Sequence, residues 1–328
     1  MYKQLIRPLL FQLPPETIHH LIMAAMRVLH YIPGGRLLLR MFYTTRHPSL
    51  VREVFGIRFP NPVGLAAGFD KDAEVYEEVA SLGFGFVEVG TITPLAQAGN
   101  PKPRLFRLPM DHALINRMGF NNQGVASAVH RLHRRNRFYH RRHQVVLGGN
   151  LGKNTLTPNE KAPADYLRLF RSLYEYVNYF VINVSCPNVA NLSCLQNKEH
   201  LKKLLEGLID FRRGQNHYRP ILLKISPDLS DEQVDEMIEV LIENGLDGIV
   251  ATNTTTSRQG LLTPSDLVAE IGADVGIAHD GDADRVMLVD AHGNEIDGDV
   301  VEAVCAIDLK ERGLLPGNTA VSTVMCNL

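Results

Sequence analysis

The sequence lacks the features that mark a disulfide-stapled, membrane-spanning or strongly basic protein. It has four cysteines in 328 residues, at positions 186, 194, 305 and 326, and no two of them form a CxxC pair. This sparse spacing is typical of a reducing cytosolic compartment. No apolar run approaches the length of about 18 residues that a transmembrane helix needs. His19 and His20 interrupt the early apolar region and no small-residue cleavage site follows, so we expect no cleaved signal peptide.

The charge balance gives no sign of a nucleic-acid partner. The formal net charge is −2, whereas nucleic-acid-binding proteins usually carry a basic domain. Residues 130–143 do hold six arginines and four histidines, but no partner motif accompanies them and we interpret them as a solvated helix end and loop. With 45% hydrophobic and 21% charged residues, the composition is globular, and the length suits one large α/β barrel or two ordinary domains.

Two short amphipathic helices are predicted before residue 45. Apolar residues recur at helical spacing over 15–32, a Pro33-Gly34-Gly35 turn breaks the pattern, and a second apolar segment follows at 37–43. Such helices can pack against a core, which the pattern alone favours, or lie in a membrane interface. In the second case basic side chains would face the lipid headgroups, namely Arg27, Arg36, Arg40 and Arg46.

A repeating strand–helix pattern begins near residue 55. Strands that alternate with helices predict parallel βαβ units, and six in a row suggest a (β/α)8-type (TIM) barrel with an N-terminal helical extension. The predicted strands are 62–66, 85–89, 145–148, 179–182, 221–225 and 248–251, and the predicted helices are 72–82, 122–136, 163–177, 197–213 and 230–244.

Each predicted strand ends in a polar cluster. The clusters begin near Gly68, Thr91, Asn150, Asn183, Lys224 and Thr252, and an amide-rich segment lies at 116–121. A single cluster of this kind often caps the next helix. Recurrence at six strand ends instead favours a planar heterocyclic cofactor beside a small, anionic substrate in the mouth of the barrel. Cys186 follows one of these strands, either as a buried structural cysteine or as a reactive group.

The motifs in these clusters resemble the class 2 dihydroorotate dehydrogenases over residues 1–263. The resemblance implies an oxidoreductase of pyrimidine biosynthesis that uses FMN to oxidise dihydroorotate to orotate with a quinone as acceptor. It also implies that helices 1–45 contact the membrane peripherally, on the cytoplasmic side of the inner membrane, and guide the quinone. The matching motifs are GLAAGFDKD at 64–72, EVGTITP at 88–94, PKPRLFRL at 101–108, INRMGFNN at 115–122, NLGKN at 150–154, INVSCPN at 182–188, LLKISPDLS at 222–230 and GIVATNTT at 248–255.

The same resemblance assigns roles residue by residue. Cys186 would be the base that removes the C5 proton, although class 2 enzymes usually have serine there; a thiol, with an ordinary pKa of about 8.5, ionises more easily. Residues 189–195 would form a lid. FMN would contact Ala67, Gly68, Lys71, Thr91, Asn150, Asn183, Lys224 and Thr252. Dihydroorotate would contact Lys71, Asn116, Arg117, Met118, Gly119, Phe120, Asn183, Asn188, Asn253 and Thr254.

Residues 266–328 resemble a different family, the phosphoglucosamine mutases and phosphomannomutases. The motif is DGDADR at 280–285, followed by a hairpin-like stretch at 286–299 and by NTAVSTVMCNL at 318–328. Asp280, Asp282 and Asp284 would bind Mg²⁺ in such a loop, and the alternative is an acidic turn. The phosphoserine loop, sugar-reading loop and phosphate-binding domain of those enzymes are not recognisable in this sequence.

We therefore predict three parts: helices 1–45, an FMN-binding barrel portion at 46–263 and an unrelated α/β fragment at 264–328. Six strands do not close an eight-stranded barrel, and the backbone donors for the FMN phosphate would be missing. This predicts weak FMN binding and doubtful activity. Alternatives are a phosphosugar mutase fragment, an inactive fusion product, or a completed barrel in which strand-like runs at 275–278 and 319–322 replace the last two strands.

Overall fold

The computed structural model of the chain describes residues 2–138, 145–185, 198–263, 277–279, 288–289 and 295–296. Its centre is a curled, six-stranded parallel sheet in the order β10-β9-β8-β7-β4-β3. In these described ranges β3 and β10 each pair on one side only, so the sheet forms a half-barrel. Its strands are β3 (Gly64–Leu65), β4 (Phe86–Ile92), β7 (Val146–Leu151), β8 (Tyr179–Asn183), β9 (Ile221–Lys224) and β10 (Gly248–Val250). All six lie where the sequence predicts strands.

The sheet is apolar on both faces, as expected for parallel strands covered on each side. Along β8, Phe180 and Ile182 face the helices, whereas Tyr179 and Val181 belong to a second cluster on the concave face. A short antiparallel hairpin of β1 (Arg52–Val54) and β2 (Ile57–Phe59) contributes Phe59 to that inner cluster. The hairpin therefore closes the floor of the half-barrel, at the amino-terminal ends of the strands.

Helices cover the convex face of the sheet. The last helix, α8 (Asp231–Asn244), begins with a capping box between Ser230 and Gln233 and ends at Gly245 in a left-handed conformation. Both signals are present in the sequence. The predicted helix at 72–82 is shorter, because the Asp70 carboxylate accepts the amides of Glu74 and Val75 and holds a turn there. The helices are α4 (Tyr76–Ala80), α5 (Val125–Phe138), α6 (Ala162–Leu173), α7 (Lys198–Arg213) and α8 (Asp231–Asn244).

The N-terminal extension is helical, as predicted, and docks on the half-barrel through ion pairs. It comprises a π-helical turn, α1 (Arg7–Leu10), α2 (Pro15–Tyr31) and α3 (Gly35–Tyr43). Arg104 Nη2 lies 2.8 Å from Glu16 Oε1, and His30 Nδ1 lies 2.9 Å from the buried Glu78 Oε1. Large apolar side chains on the other side of these helices stay exposed, including Leu37, Met41 and Phe42 at 64%, 74% and 77%.

A small antiparallel sheet holds the segment between β4 and α5. It consists of β5 (Leu105–Leu108), β6 (Ala113–Asn116) and β11 (Ile277–His279) in the order β11-β6-β5. Of the strand-like run at 275–278, the described residues Ile277 and Ala278 belong to β11, which pairs antiparallel with β6 and does not extend the parallel sheet beside β10. The hairpin-like stretch at 286–299 contains a paired hairpin of β12 (Leu288–Val289) and β13 (Glu295–Ile296).

Candidate functional site

Buried polar side chains from neighbouring strands meet at the carboxyl ends of the parallel sheet. Thr91 on β4 donates from Oγ1 to Asn150 Oδ1 on β7 at 2.7 Å. Asn183 on β8 donates from Nδ2 to Thr91 Oγ1 at 3.1 Å. These three residues, together with Asn253 after β10, form what we call the amide cluster. Its position at the strand ends is where α/β barrels carry their binding sites.

Asn253 extends the cluster across the sheet. Its Nδ2 donates to Asn183 Oδ1 at 3.2 Å and to Ser185 Oγ at 3.1 Å, while its Oδ1 accepts the Thr254 amide at 2.9 Å. Thr252 is exposed, and its hydroxyl donates to the Asn253 carbonyl at 2.9 Å. The asparagines thereby fix one another's orientation before any ligand is present.

One donor of the cluster remains open. Asn150 is fully buried, and its Nδ2 forms no hydrogen bond of normal geometry among the described residues, although its amide lies close to the Glu88 carboxylate. A buried amide donor without a partner is costly, which suits a site where a ligand supplies the acceptor. Lys224 lies opposite Asn183 in the register of β9 and β8 and is 8% exposed, so it adds a cationic group to the same strand ends.

A buried carboxyl group lies on β4, three residues before Thr91. Glu88 is 1% exposed and accepts the Tyr179 hydroxyl at 3.2 Å through Oε1. Burial raises the pKa of Glu88, while the positive charge of Lys224 and the neighbouring Tyr179 hydroxyl, Asn150 side-chain amide and Ala67 backbone amide oppose that rise. The sequence motif contains Glu88, but its alternation with apolar neighbours gave no reason to assign it to the site.

The loop after β3 brings Ala67, Gly68 and Lys71 to the same edge of the sheet. Gly68 has a φ of +118° and its amide donates to the Gly90 carbonyl at 2.8 Å. A Cβ on Gly68 would meet nothing within 4 Å, so this backbone faces open space. Lys71 Nζ donates to Asn121 Oδ1 and lies 3.4 Å from Met118 Sδ. The ammonium group therefore reaches the inserted segment at 116–121.

Among the described contacts, the inserted segment at 116–121 lies next to the amide cluster through Phe120. The Asn116 Oδ1 accepts the Met118 amide at 2.9 Å. Gly119 and Phe120 both have positive φ angles, and a Cβ on Gly152 would lie 2.7 Å from the Thr91 side chain and 2.8 Å from the Phe120 ring. The Arg117 guanidinium instead donates to the Pro103 carbonyl at 2.9 Å. The structure thus brings Phe120 beside Thr91 and gives Arg117 a partner outside the cluster.

Three residues beside the site were not assigned from the sequence. Asn121 and Ser185 lie inside the motifs INRMGFNN and INVSCPN, and this position in a motif is the sequence feature that could have assigned them to the site. His19 on α2 has no such signal, and its ring meets the Phe69 ring edge-on at 5.0 Å. Burial and the nearby charge of Lys71 lower the pKa of His19 to about 4. This histidine is therefore neutral at pH 7 and contributes no charge to the mouth.

Several predicted site residues lie outside the described residues. They are Cys186 and Asn188, the lid at 189–195, and the three carboxylates at Asp280, Asp282 and Asp284. Their roles stay predictions. The last described residue of that strand end is Ser185, which is 3% exposed and contacts Asn183 and Asn253.

One described group of side chains has the composition of a metal site. It comprises His30, Glu77 and Glu78. Arg135 Nη1 lies 2.8 Å from Glu78 Oε2, and Arg36 donates to Glu77. Because two guanidinium groups already neutralise these carboxylates, the group fits a buried ion-pair network between α3, α4 and α5 better than a cation site.

Comparisons with known proteins agree with this geometry. A family model described as dihydroorotate dehydrogenase matches residues 49–274, which carries the similarity past Thr263. The chain is 54% identical over 261 residues to a dihydroorotate dehydrogenase (quinone) of Christiangramia forsetii, covering 80% of this chain and 75% of that protein. It is 48% identical over 273 residues to one of Rhodococcus opacus, covering 83% and 73%.

A solved structure has the same fold over most of the chain. The ligand-free DHODH of Eimeria tenella superposes with a TM-score of 0.71 at 36% identity, covering 80% of this chain and 74% of that one. The parallel half-barrel, the polar strand ends and these similarities all lead to the same assignment. The chain belongs to the dihydroorotate dehydrogenase family.

Proposed function

We propose that this protein oxidises dihydroorotate to orotate in pyrimidine biosynthesis, with FMN as the electron carrier and a quinone as the acceptor. The observation that carries the proposal is the amide cluster, whose buried amides from three strands and one loop hold each other at the mouth of the sheet. The matched bacterial proteins carry the name dihydroorotate dehydrogenase (quinone), which supports the choice of substrate and acceptor.

The residues present fit a flavin. Asn150 Nδ2 is a buried donor that forms no hydrogen bond of normal geometry among the described residues, as expected where a ring carbonyl or nitrogen binds. The open backbone at Gly68 lets a flat ring approach, and Ala67, Thr91, Asn183 and Thr252 would complete the contacts. Lys224 supplies positive charge where a reduced ring carries negative charge. When bound, FMN accepts a hydride from the substrate and passes electrons to the quinone.

The substrate would bind between the inserted segment and the amide cluster. Lys71 is half-buried and reaches Asn121 and Met118, so its ammonium can also pair with the carboxylate of dihydroorotate. Amides read the donors and acceptors of the pyrimidine edge, for which we propose Asn183, Asn188 and Asn253. Phe120 packs beside Thr91 and Gly152 and would limit the access of water to this side of the site.

Cys186 is the proposed base. It directly follows Ser185, a buried neighbour of the amide cluster, and would take the C5 proton while the C6 hydride leaves the substrate. The expected test result is that dihydroorotate bleaches the flavin absorbance of the wild-type chain at saturating FMN. Cys186→Ala should slow this bleaching by about 10²–10⁴-fold, and Cys186→Ser should keep part of it.

The outcomes separate the two parts of this proposal. Equal bleaching in wild type and Cys186→Ala would contradict the base assignment alone. No bleaching in the wild type at saturating FMN would contradict the function as a whole. Gln123→Ala is the matched control, because Gln123 is exposed and lies outside the amide cluster.

We further propose that residues 1–45 form a peripheral membrane-binding unit on the cytoplasmic side of the inner membrane, through which the quinone enters. The exposed apolar side chains of α2 and α3 support this reading, because exposed apolar area of this extent marks an interaction surface. None of the described helices is both long and apolar enough to cross a bilayer.

A finer proposal concerns residues 264–328, which we assign to a mutase-like fragment that follows the FMN-binding portion at 46–263. It rests on the DGDADR motif alone, and the dihydroorotate dehydrogenase match, which reaches residue 274, covers the first residues of this range. Asp280, Asp282 and Asp284 would bind Mg²⁺ there. FMN would then bind weakly, because the backbone donors for its phosphate are replaced. A stoichiometric yellow complex that survives gel filtration would contradict this, and Mg²⁺-dependent turnover of a sugar phosphate would favour the alternative mutase function.

A further inference from the structure

A cavity lies at the amino-terminal ends of the parallel strands, opposite the carboxyl ends that carry the amide cluster. It has a volume of about 480 Å³ and is bounded by the end of α3, the β1–β2 hairpin and the residues that precede β3, β4 and β7. Gly85 in its wall and Thr91 are separated by residues 86–90 of β4, which corresponds to about 20 Å at the usual rise per residue. The cavity is therefore distinct from the site proposed for FMN and dihydroorotate.

The side chains around this cavity are basic. Arg40, Arg46, His47 and Arg58 line it, and none of the described lining residues is an aspartate or a glutamate. Arg40 is half-buried. Burial lowers the pKa of Arg40, the charges of Arg36 and Arg46 lower it further, and Glu77 opposes them. Positive charge thus lines an open cavity without a lining carboxylate to neutralise it, with Arg40 half-buried and Arg46, His47 and Arg58 exposed at its rim.

The cavity arginines differ from the buried arginines of the core, because Arg40 is half-buried while Arg46 and Arg58 are exposed. Within the described chain, the guanidinium groups of Arg40, Arg46 and Arg58 form no hydrogen bond and no ion pair with a protein group. By contrast, Arg104 and Arg212 each contact a carboxylate, at 2.8 Å and 2.7 Å. Arginines that face a common cavity with unused donors are suited to a planar or tetrahedral oxyanion, which accepts paired N–H bonds.

The walls of the cavity are fixed by the backbone. A Cβ on Gly83 would lie 2.4 Å from the Tyr43 carbonyl oxygen, so α3 packs directly on this turn. The buried Asn61 donates from Nδ2 to the Gly83 carbonyl at 2.9 Å, and its Oδ1 accepts the Val63 amide at 3.0 Å. The cavity also has apolar lining, including Phe84. A ligand here would combine an anionic group with an apolar or ring-shaped part.

We propose that this cavity is a binding site for a phosphomonoester or phosphodiester group, held by Arg40, Arg46 and Arg58. Phosphate carries enough negative charge and enough acceptor oxygens to engage several guanidinium groups at once, whereas a carboxylate would neutralise only one. The volume leaves room for the rest of the molecule. The proposal is independent of the proposed redox function, because it uses no residue of the amide cluster.

Titration calorimetry of the full chain with inorganic phosphate and with glycerol 3-phosphate tests the proposal. We expect one site in the wild type and at least tenfold weaker binding in Arg40→Ala and in Arg58→Ala. Arg58→Lys should lose part of the affinity, because lysine keeps the charge but not the paired donors. Arg168→Ala is the matched control: Arg168 is exposed on α6 and outside the cavity, and its removal should change nothing.

Thermal unfolding separates binding from a purely structural role. Without phosphate, Arg40→Ala should change the melting temperature little, because the attraction of Arg40 to Glu77 is offset by its repulsion from Arg36 and Arg46. Phosphate should raise the melting temperature of the wild type and not that of the variant. If Arg40→Ala does not fold, Arg58→Ala is used instead, because Arg58 is exposed. Its melting temperature is then compared with and without phosphate.

Vesicle binding shows whether the bound phosphate group belongs to a lipid headgroup or to a soluble compound. The chain is tested with phosphatidylglycerol and with phosphatidylcholine vesicles, and Arg168→Ala is again the control, because Arg168 lies outside both the cavity and the N-terminal helices. Binding of glycerol 3-phosphate in solution identifies a soluble phosphomonoester as the ligand class. Loss of phosphatidylglycerol binding only in the cavity variants identifies a lipid headgroup. Equal binding by wild type and cavity variants in every arm, or no binding in any arm, overturns the proposal.

Discussion

Asn183 is the residue on which the geometry of the candidate site depends. Its Nδ2 donates to Thr91 and its Oδ1 accepts Asn253, so it joins β4 to the segment after β10. The side chain is only 4% exposed. An asparagine is suited to this position because it offers both donors and acceptors from a short, stiff side chain.

Asn183→Ala should therefore destabilise the protein. Its removal takes one hydrogen bond from Thr91 and one from Asn253, which keep their bonds to Asn150 and Ser185, and this costs about 2 kcal/mol of the free energy of unfolding. Chemical denaturation followed by circular dichroism measures this difference. Asn216→Ala, at an exposed position beyond α7, should change the free energy of unfolding by less than about 0.5 kcal/mol. Equal losses in both variants would refute the assigned role of Asn183.

At the scale of elements, the start of α2 is attached to the half-barrel by a buried ion pair. Glu16 at the start of α2 accepts Arg104, which precedes β5, and both residues are buried, at 8% and 6% exposure. Burial by itself would raise the pKa of Glu16, but the hydrogen bonds from Arg104 and Lys102 outweigh it and lower the pKa to about 2. The ionised pair is thus the stable form at neutral pH.

Arg104→Ala should cost about 3 kcal/mol, because it leaves the Glu16 carboxylate buried without its main partner. Since the folded-state pKa lies below the ordinary 4.5, the pair stabilises the wild type fully above pH 4.5 and its contribution is lost as the pH falls toward 2. Denaturation curves from pH 2 to 7 measure both effects.

Lys102→Ala is the control for this pair. Lys102 contacts the same carboxylate at 3.1 Å but its side chain is 60% exposed, so its loss should cost less than about 1 kcal/mol. A pH-independent difference between Arg104→Ala and wild type would contradict the assigned linkage. Hydrogen exchange should further show that α2 loses protection in Arg104→Ala before the parallel sheet does.

At the scale of the whole molecule, the polar and apolar surfaces are segregated. The strand ends carry the amide cluster, the floor carries the basic cavity, and the N-terminal helices carry exposed apolar side chains on α2 and α3. Arg40 belongs to α3 and also lines the basic cavity. The proposed membrane surface therefore adjoins the proposed anion site.

Met41→Glu combined with Phe42→Glu should weaken binding to vesicles at least tenfold, because each large apolar side chain contributes about 1.5–3 kcal/mol when it leaves water. Vesicle flotation of the full chain measures this. Leu156→Glu is the control, since Leu156 is 95% exposed but lies between β7 and α6. Unchanged flotation of the double variant would contradict membrane contact through α3.

The sequence by itself determined the order and type of the main elements. Strands such as β8 are short apolar runs, and helices such as α8 carry their own start and stop signals, Ser230 and Gly245. These are local properties, encoded within a few residues of where they act. The quoted motifs also place polar residues directly after these strands. Parallel pairing then brings those residues to one edge of the sheet.

Only the tertiary structure decided which distant groups meet. It turned Arg117 toward Pro103, brought His19 beside Phe69 and paired β11 antiparallel with β6. It also placed Arg40 and Arg58 around one cavity. None of these contacts has a local signal, because each depends on how separately formed elements pack, and packing is set by the shape and charge of surfaces far apart in the chain.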